Sequence, residues 1–581
     1  MFEIRSDGFY LDNEKFLVHS GACHYFRIPE EYWEDRLYRI KAMGLNTVET
    51  YVCWNMHEKK QGEFDFSGML DIEQYVRLAA KLGLYVIIRP GPYICAEWDN
   101  GGLPHWLAAT GAKFRRSDPV YLNYVARFFS QLLPRLAPYQ TTNGGNILMF
   151  QLENEYGSYG NDKNYLLALQ GMIRENGIDA PLFTSDGGTD FMLSGGTLPD
   201  VFKTVNFGSD PSRNFGALIR HQQDMPLMCS EFWCGWFDAW GGKHHTRSGD
   251  EIVECVDYFL SNDINFNIYV AHGGTNFGFT AGANHADAYA PTVTSYDYGT
   301  LISEHGEITS AYLAVRDMLI ERADAPELEL PPVIRTQNLG KFKFTKTARL
   351  LDNTAALGPT VGSPSPLSFE ELDLMGGMAR YTTVVKGKYE AAKLKLESVH
   401  DVAQVYINGE YADSFDRVRS RRGGESLEIQ LKAFDGELKI DVLVAAYGRV
   451  NYGTRMPDRK GLGRVFLGSQ ELMGWECVPM SFEDLSGVEF KEKEKIKREC
   501  VIAKLLFECA NKVDCFIDTS DLGSGFIIVN GHNLGRYCSE GPQQTLYMPG
   551  CWLEKENELI CVEYGGAAPN YIKIVETPRL G

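Results

Sequence analysis

The sequence predicts a multidomain α/β plus all-β protein in which an N-terminal (β/α)8 TIM barrel precedes two β-sandwich domains. Between about residues 15 and 320, short apolar runs alternate with stretches whose apolar residues recur at three- and four-residue spacing, as expected for strands alternating with amphipathic helices. Beyond residue 340 helical periodicity is rare, and short alternating runs separated by turn residues predominate, which is typical of β-sandwich modules. A chain of 581 residues is also too long for a single hydrophobic core.

The barrel prediction rests on eight apolar runs. They lie at 17–20, 47–52, 85–89, 147–151, 182–185, 204–207, 227–230 and 266–270. The helical stretches between them include 31–43, 72–82, 120–136, 165–176 and 250–261. Strands that alternate with helices pair in parallel, and eight such units over roughly 300 residues favour a closed barrel. A doubly wound open sheet is the alternative, but no Gly-x-Gly-x-x-Gly follows the first strand.

Two of the apolar runs lead into a glutamate, Glu155 after the fourth run and Glu231 after the seventh. Because burying an unpaired charge is costly, such run-ends make sense if both carboxylates face one cleft, and barrel active sites lie at the C-terminal ends of strands. Two opposed carboxylates are the groups that cleave a glycosidic bond. A salt bridge at a strand end is the structural alternative for either glutamate alone. Glu153 competes with Glu155, because strand spacing places both on one face.

Polar and aromatic residues also follow other barrel strands, where the same end of the barrel should lie. They include His24, Arg27, Tyr51, Trp54, His57, Arg89, Cys95, Ala96, Glu97 and Asn276. After the seventh strand, Trp233, Trp236 and Trp240 recur at three- and four-residue spacing. Such a stripe usually packs in a core, but at a barrel strand end we expect at least one ring to contact a ligand. For Glu97, acceptance of a ligand hydroxyl competes with a buried ion pair to Arg89.

The barrel pattern ends in a polar, proline-containing stretch near residues 323–340 that indicates a linker. The predicted organisation is a barrel over 1–322, a linker and unassigned β segment over 323–380, a first β-sandwich over 381–485 and a second over 486–581. A weak repeat supports two modules, since Asn408-Gly409 and Asn530-Gly531 each follow an apolar strand with a tight-turn signal. The stretch 341–380 fits an extra strand pair in either module.

Composition excludes several classes of function. A hydrophobic fraction of 44% with 23% charged residues indicates a soluble globular protein, and a net charge of −20 argues against nucleic acid as a partner. No apolar run reaches membrane-helix length and no signal-peptide pattern is visible, so we expect no membrane partner and a cytoplasmic location. The 13 cysteines contain no Cys-x-x-Cys, which favours reduced core thiols over zinc ligands. Adjacent His244 and His245 favour a solvated loop over a metal site.

Six long motifs cover residues 20–305 at the predicted strand ends. They are Tyr51-Val-Cys-Trp54-Asn-Met-His57-Glu, Arg89-Pro-Gly-Pro-Tyr93-Ile-Cys95-Ala-Glu97-Trp, Gln151-Leu-Glu-Asn154-Glu155-Tyr-Gly, Ser230-Glu231-Phe-Trp-Cys-Gly-Trp236, Gly273-Gly-Thr-Asn276-Phe-Gly and Thr294-Ser-Tyr296-Asp-Tyr298-Gly. Together they resemble the glycoside hydrolase family 35 β-galactosidases, and in length the chain resembles the compact bacterial, β-1,3-galactosidase-like members. The resemblance is looser beyond residue 340, where it implies two galactose-binding-like jelly-roll modules.

The resemblance also implies a role for particular residues. It implies a retaining mechanism with Glu155 as acid/base and Glu231 as nucleophile, and Asn154 as the group that holds the sugar 2-hydroxyl. The other implied hydroxyl contacts are Tyr51, Cys95, Ala96 and Glu97, with Cys95 and Ala96 acting through backbone groups. Glu231 must stay ionised, so it needs hydrogen-bond donors, of which Tyr298 is the candidate. Tyr452, on a turn of the first β module, is placed where it would reach over the barrel mouth.

The expected function is that of a retaining exo-β-galactosidase. Its partner would be a small oligosaccharide with a terminal β-D-galactose, with a preference for β-1,3 linkage to N-acetylhexosamine, and the chemistry needs no metal or organic cofactor. A β-glucosidase or exo-β-glucosaminidase is the alternative among enzymes, and a non-catalytic sugar-binding protein is the alternative from another class. The sequence leaves open a monomer or a homodimer. It also leaves open whether the β modules shape the acceptor site or only brace the barrel.

Overall fold

The N-terminal part of the chain forms the predicted closed barrel of eight parallel strands. The computed structural model describes residues 1–420, 424–494, 496 and 498–581. In chain order, the barrel strands are His19–Cys23, Thr47–Tyr51, Tyr85–Arg89, Ile147–Gln151, Leu182–Gly187, Phe202–Phe207, Met228–Trp233 and Asn265–His272. Each pairs with the next in the chain, and the eighth closes onto the first. All eight predicted strands are present, and their near-complete burial explains why they are continuous apolar runs.

Helices surround the barrel. They are Trp33–Ala42, Trp54–His57, Ile72–Lys81, Pro119–Leu136, Tyr156–Tyr159, Lys163–Glu175, Asp190–Gly196, Pro211–His221, Gly249–Ser261 and Ser310–Arg322, and Leu350–Asn353 follows further along the chain. Helix Ile72–Lys81 is amphipathic. Its buried residues Ile72, Tyr75, Val76 and Ala79 recur at helical spacing and form one face. Its first turn is capped by Asp71, whose carboxylate accepts a 2.8 Å hydrogen bond from the backbone nitrogen of Gln74.

A small sheet that the sequence analysis missed closes the opposite end of the barrel. It consists of the antiparallel strands Phe2–Arg5, Gly8–Leu11 and Glu14–Lys15. Phe2 and Phe9 are buried against residues at the beginnings of the barrel strands, among them Leu148, Phe183 and Phe202. The N-terminal end of the barrel is therefore sealed by apolar packing, which leaves the C-terminal end as the accessible one.

The first β module consists mainly of two antiparallel sheets around one apolar cluster. The six-stranded sheet has the spatial order Val361–Ser363, Trp475–Met480, Met378–Tyr389, Phe434–Ala445, Val402–Ile407 and Glu410–Asp416. The four-stranded sheet has the order Leu427–Leu431, Ala392–Leu396, Val465–Leu467 and Gln470–Glu471, and Val399–His400 pairs with Gly461–Leu462.

The second β module repeats this plan around its own cluster. Its six-stranded sheet has the order Lys491–Glu492, Lys346–Arg349, Val501–Glu508, Glu556–Glu563, Ser524–Val529 and His532–Cys538, and its four-stranded sheet has the order Gly340–Lys343, Tyr571–Val575, Cys515–Asp518 and Thr545–Met548. The stretch 341–380 thus contributes to both modules, since Lys346–Arg349 pairs with Val501–Glu508 while Val361–Ser363 pairs with Trp475–Met480.

The two Asn-Gly signals both form tight hairpin turns. Asn408 and Gly409 have φ values of 51° and 82°, and Asn530 and Gly531 have φ values of 51° and 83°. Positive φ at both central residues is the requirement of the two-residue turn that matches strand twist, which is why Asn-Gly occurs there.

One further sheet joins the first module to the mouth of the barrel. Strands Ala283–His285 and Tyr289–Pro291 come from the loop after the eighth barrel strand, and Val450–Gly453 from the first module pairs in parallel with Ala283–His285. The 13 cysteines are free, and all except Cys551 are buried. Across the described residues, no helix is both long enough and apolar enough to cross a bilayer.

Candidate active site

A cavity of about 190 Å³ lies at the C-terminal ends of the barrel strands. Its lining includes ten residues that the sequence analysis singled out: Tyr51, Cys95, Ala96, Glu97, Asn154, Glu155, Glu231, Trp233, Trp236 and Tyr298. Tyr452, from the first β module, lines it too. These residues come from widely separated parts of the chain, and only the closed barrel brings them together.

Glu231 lies on the seventh barrel strand and is held by three donors. Its Oε1 accepts a 2.8 Å hydrogen bond from the Tyr51 hydroxyl and pairs with the Arg89 guanidinium at 2.6 Å. Its Oε2 accepts a 3.1 Å hydrogen bond from the Trp233 indole nitrogen. Hydrogen bonds from a charged donor and two neutral donors fix the orientation of this carboxylate. The expected donor, Tyr298, lines the same cavity, but these three bonds come from other residues.

Glu155 has a different environment. Burial, together with the nearby charge of Glu231, raises the pKa of Glu155 to about 7. One donor opposes this shift, because the side-chain amide of Asn206 hydrogen-bonds to Oε1 of Glu155 at 3.0 Å. The Asn206 amide is oriented by the hydroxyls of Ser185 and Ser230, which both donate to its oxygen. The two carboxylates therefore differ in their surroundings, since three donors bind Glu231 and one binds Glu155.

Glu153 does not share the cavity with Glu155. Arg115 binds both carboxylate oxygens of Glu153 at 2.9 Å, and the Tyr165 hydroxyl donates a third bond at 3.0 Å. The backbone separates the two glutamates because Glu153 and Glu155 both have positive φ, 59° and 46°, so the strand does not continue beyond Gln151. This irregular strand end overrides the regular strand spacing that would place both glutamates on one face.

Asn154 lies between these glutamates, and its side chain is held in place by the barrel wall. Its Oδ1 accepts hydrogen bonds from Arg89 at 2.7 Å and from the Gln151 amide at 3.1 Å. Its Nδ2 donates to the carbonyl oxygen of Ile94 at 3.4 Å. Arg89 thus contacts both Asn154 and Glu231, which fixes the two side chains relative to each other.

The loop after the third barrel strand presents three consecutive residues with positive φ, namely Cys95, Ala96 and Glu97 at 55°, 53° and 49°. Backbone strain of this kind persists only where surrounding contacts impose it. Here Arg27 donates to the Ala96 carbonyl and the Tyr296 hydroxyl donates to the Glu97 carboxylate. Burial raises the pKa of Glu97 to about 7.

Glu97 does not form the ion pair with Arg89 that the sequence analysis considered. Arg89 pairs instead with Glu231 and, at 3.7 Å, with Glu49 beneath the cavity. Because Glu97 lines the cavity, its carboxylate is available to accept a ligand hydroxyl.

Aromatic rings form the rim of the cavity. Trp236 is 40% exposed, packs edge-on against Trp233 with ring centroids 5.5 Å apart and stacks on Phe237 at 5.0 Å. Tyr452 closes the rim from the first β module, and Ser158 lines the cavity beside it. Such rings offer flat apolar faces to a ligand.

Trp240, the third tryptophan of the stripe, lies elsewhere. Its ring is 4% exposed and belongs to an apolar cluster with Val293, Tyr447 and Phe526, which joins the barrel to both β modules. The chain turns away from the cavity before this residue, since the Trp240 nitrogen donates to the carbonyl of Pro291 at 2.9 Å. Spacing alone placed Trp240 with the other two rings, but its partners are those of a core residue.

Three models of known families match successive parts of the chain. Residues 8–321 match glycosyl hydrolases family 35. Residues 366–481 match the first all-beta domain of beta-galactosidase, and residues 502–558 match the beta-galactosidase galactose-binding domain. The chain belongs to glycosyl hydrolase family 35. The family 35 match covers the barrel and its mouth, and the other two models fall on the two β modules.

Relatives of similar length support the same membership. The chain is 38% identical to a beta-galactosidase of Xanthomonas manihotis over 94% of this chain and 91% of that one. It is 36% identical to beta-galactosidase-1-like protein 3 of Rattus norvegicus over 98% of this chain and 91% of that one. Among solved structures, an exo-beta-1,4-mannosidase from Opitutaceae bacterium strain TAV5 shows 16% identity and a TM-score of 0.40, with 57% of this chain and 64% of that chain covered, a likeness too low to bear on function. The family 35 chain is therefore a glycoside hydrolase.

The sequence analysis missed several cavity residues of this family 35 hydrolase. They are Ser158, Gly187, Met192, Phe237, Tyr269 and Asn284. Most carry no ionisable group and lie outside the quoted motifs, so only the fold reveals them. Asn206, the partner of Glu155, shares its buried strand with two other polar residues, Lys203 and Thr204, so residue type alone could not have singled it out.

The adjacent histidines contact a single carboxylate. Nδ1 of His244 and Nδ1 of His245 lie 2.7 and 2.9 Å from the two oxygens of Asp238. In the part of the family 35 chain that the structure describes, no group of three or more His, Cys, Asp or Glu side chains is arranged to hold a metal ion.

Proposed function

We propose that this family 35 protein is a retaining exo-β-galactosidase that removes one terminal β-D-galactose from small oligosaccharides. The observation that carries the proposal is the pairing, in one cavity, of Glu155 with a raised pKa and Glu231 with three donors. The names of the relatives point the same way. Cleavage of a single terminal sugar is supported by the cavity volume of about 190 Å³, which is below the roughly 300–1,000 Å³ of pockets for larger ligands.

In the proposed mechanism, the Glu231 carboxylate attacks the anomeric carbon of galactose. Glu155 gives its proton to the glycosidic oxygen as the bond to the leaving sugar breaks, and an ester joins galactose to Glu231. Glu155, now ionised, takes a proton from water, which attacks the same carbon and releases Glu231. The charge of Glu231 is absent from the ester, so one cause of the raised pKa of Glu155 disappears and the residue becomes able to act as a base.

The other lining residues are proposed to hold the sugar hydroxyls. Asn154 would donate to the 2-hydroxyl, a bond that strengthens in the transition state. Glu97 and the backbone of Cys95 and Ala96 would contact the remaining hydroxyls, in agreement with their position on the cavity wall. Tyr51 would both support the nucleophile and contact the sugar.

Preference for β-1,3-linked galactosyl-N-acetylhexosamine is part of the proposal. It rests on the aromatic rim of Trp236, Phe237 and Tyr452, which would contact the acceptor sugar next to galactose. Rates of galactose release from the β-1,3, β-1,4 and β-1,6 isomers of galactosyl-N-acetylglucosamine test it. Equal or faster release from the β-1,4 isomer would exclude the preference.

A cytoplasmic location stays a prediction that cell fractionation tests.

The variant Glu231→Gln tests the catalytic assignment. We expect a loss of at least about 10³-fold in kcat on the preferred isomer, with galactose binding retained in calorimetry. Proton NMR of the wild-type reaction should show the β anomer of galactose first, as retention requires. Wild-type rates in Glu231→Gln would refute the nucleophile assignment. Galactose binding by a wild-type protein that cleaves none of the isomers would favour the sugar-binding alternative, whereas cleavage of glucosides instead would favour the other exo-glycosidases.

A further inference from the structure

A second cavity, of about 510 Å³, adjoins the catalytic cavity. Its walls come from helix Tyr156–Tyr159 and the residues after it on one side, and from helix Asp190–Gly196 on the other. Ser158 lines both cavities, and Met192 of the second helix lines the catalytic one. The two cavities therefore lie next to each other, on the side of the active site that carries Glu155.

The floor of this second cavity is backbone, because the two helices touch through glycines. A Cβ at Gly157 would lie 1.8 Å from the carbonyl oxygen of Met192, and a Cβ at Gly195 would lie 2.8 Å from the carbonyl oxygen of Gly160. Larger residues at Gly157 or Gly195 would push the helices apart. These glycines thus allow the close approach of the two helices whose residues line the cavity.

Phe191 is the apolar feature of this cavity. Its side chain is 78% exposed and lines the cavity, so a flat aromatic face is open to a ligand there. Its neighbour Asp190 supplies a fixed acceptor, because Arg220 binds the Asp190 carboxylate at 2.8 Å and His221 lies 3.0 Å from it. A flat ring next to an oriented carboxylate matches a pyranose, which has an apolar C–H face and hydroxyl donors at its edge.

We propose that this cavity is a distal acceptor subsite, in which Phe191 stacks against a sugar beyond the one linked directly to galactose. The inference rests on the proposed function and extends it to longer oligosaccharides. Because Glu155 protonates the leaving oxygen, the leaving saccharide must lie on the Glu155 side of the galactose. The helix that follows Glu155 then directs it from the aromatic rim, past Ser158, to Phe191.

Comparison of two substrates tests this subsite. One is the galactosyl disaccharide isomer that wild type cleaves best, and the other is a tetrasaccharide in which two further sugars extend the reducing end of that disaccharide. We expect Phe191→Ala to lower the ratio of kcat/KM for the tetrasaccharide to that for the disaccharide by roughly 3- to 10-fold, mainly through KM. Phe191→Tyr should restore most of the ratio. Leu506→Ala, which removes another exposed apolar side chain (70% exposed) in the second β module, should leave both rates as in wild type.

A ratio in Phe191→Ala equal to that of wild type would overturn the subsite. A nitrophenyl β-galactoside, which has no sugar beyond galactose, is measured in parallel. If wild type cleaves this aryl substrate while the ratio is insensitive to Phe191, the galactosidase proposal stands and the subsite alone is refuted. If wild type cleaves neither the aryl galactoside nor any galactosyl disaccharide, the proposed function itself fails, and the subsite fails with it.

Discussion

The two β modules have similar sheets and equivalent Asn-Gly hairpins, yet they contact the barrel in different ways. The first module adds strand Val450–Gly453 to the sheet at the barrel mouth, and Tyr452 on that strand lines the cavity. The second module instead contacts the loop behind the cavity. Its Arg536 carbonyl accepts a 2.6 Å hydrogen bond from Thr294, and its Gln543 accepts one of 2.9 Å from the Ser295 nitrogen.

This difference separates three kinds of contribution to one site. The barrel supplies the charged groups at the centre, the first module supplies a neutral residue at the rim, and the second module supports a segment whose Tyr296 binds Glu97. Two β modules with similar sheets therefore contribute differently to the site, so the fold of a module does not reveal its role. Variants in the barrel, the first module and the second module should therefore change different measured quantities. The expected effect decreases in that order.

The largest effect should come from the barrel itself, through Glu155. With a pKa of about 7, Glu155 is protonated below that pH and can donate its proton, whereas above it the carboxylate cannot act as an acid. We therefore expect kcat/KM of wild type to fall tenfold per pH unit above about pH 7. Glu155→Gln should lower kcat/KM on the disaccharide by about 10²- to 10⁴-fold and remove this alkaline limb.

Two comparisons make the pH test specific. Tyr452→Phe, a change at the rim, should keep the alkaline limb. Glu97 also has a pKa raised to about 7, so an alkaline limb that persists in Glu155→Gln would assign the limb to Glu97 and contradict the acid/base assignment.

The next effect should come from Arg449, which ties the first module to the loop of the third barrel strand. Its buried guanidinium pairs with Asp99 at 2.9 Å and with Glu370 at 2.7 Å. Arg449→Met would leave two buried carboxylates without their charged partner, each keeping only backbone N–H donors, a change that costs about 3–5 kcal/mol in the free energy of unfolding. KM should rise as well, because Asp99 lies two residues after Glu97.

A matched control is available within the same module. Arg464 pairs with Glu397 at 2.8 Å, but the Arg464 side chain is exposed and that of Glu397 is only partly buried, so Arg464→Met should cost at most about 1 kcal/mol. Thermal unfolding midpoints and KM for both variants check the prediction. Equal midpoints for the two variants would show that the Arg449 cluster does not hold the module on the barrel.

The sequence predicted the barrel well because its strands are buried on both faces and its helices are amphipathic, which produces two clear periodicities. It also located both candidate carboxylates, since a charge at the end of an apolar run needs a partner. It missed the strand pair Phe2–Arg5 and Gly8–Leu11, because four-residue strands are too short to show a period. Trp240 was misplaced because spacing does not show where a chain turns.

The hydrogen-bond partners within the site were predicted less well than the residues that line it. Glu231 was expected to bind Tyr298, yet the side chains that bind it are Tyr51, Arg89 and Trp233. Each candidate follows a barrel strand, so all of them are near the cavity, and position along the chain cannot rank distances of a few ångströms among them. Family resemblance narrowed the set of residues but did not supply the hydrogen-bond geometry.

A smaller effect should follow removal of the Tyr452 hydroxyl. Tyr452→Phe keeps the ring at the rim but removes the one polar group with which this side chain can bind a ligand in the cavity. We expect kcat/KM on the disaccharide to fall by roughly 2- to 10-fold through KM, with little change for an aryl galactoside, whose leaving group makes fewer rim contacts. An equal fall for both substrates would place Tyr452 among the galactose contacts rather than at the acceptor.

The smallest effect should come from the second module. Thr294→Val removes the hydroxyl that donates to the buried carbonyl of Arg536, while the side-chain shape is kept. The unpaired carbonyl should cost about 1–3 kcal/mol of stability, which lowers the thermal midpoint, and kcat/KM should stay within about twofold of wild type because Thr294 does not line the cavity. A large loss of kcat/KM at an unchanged midpoint would mean that the second module positions Tyr296 and Glu97 for the reaction. Its role would then not be limited to structural support, which would contradict the difference drawn here between the two modules.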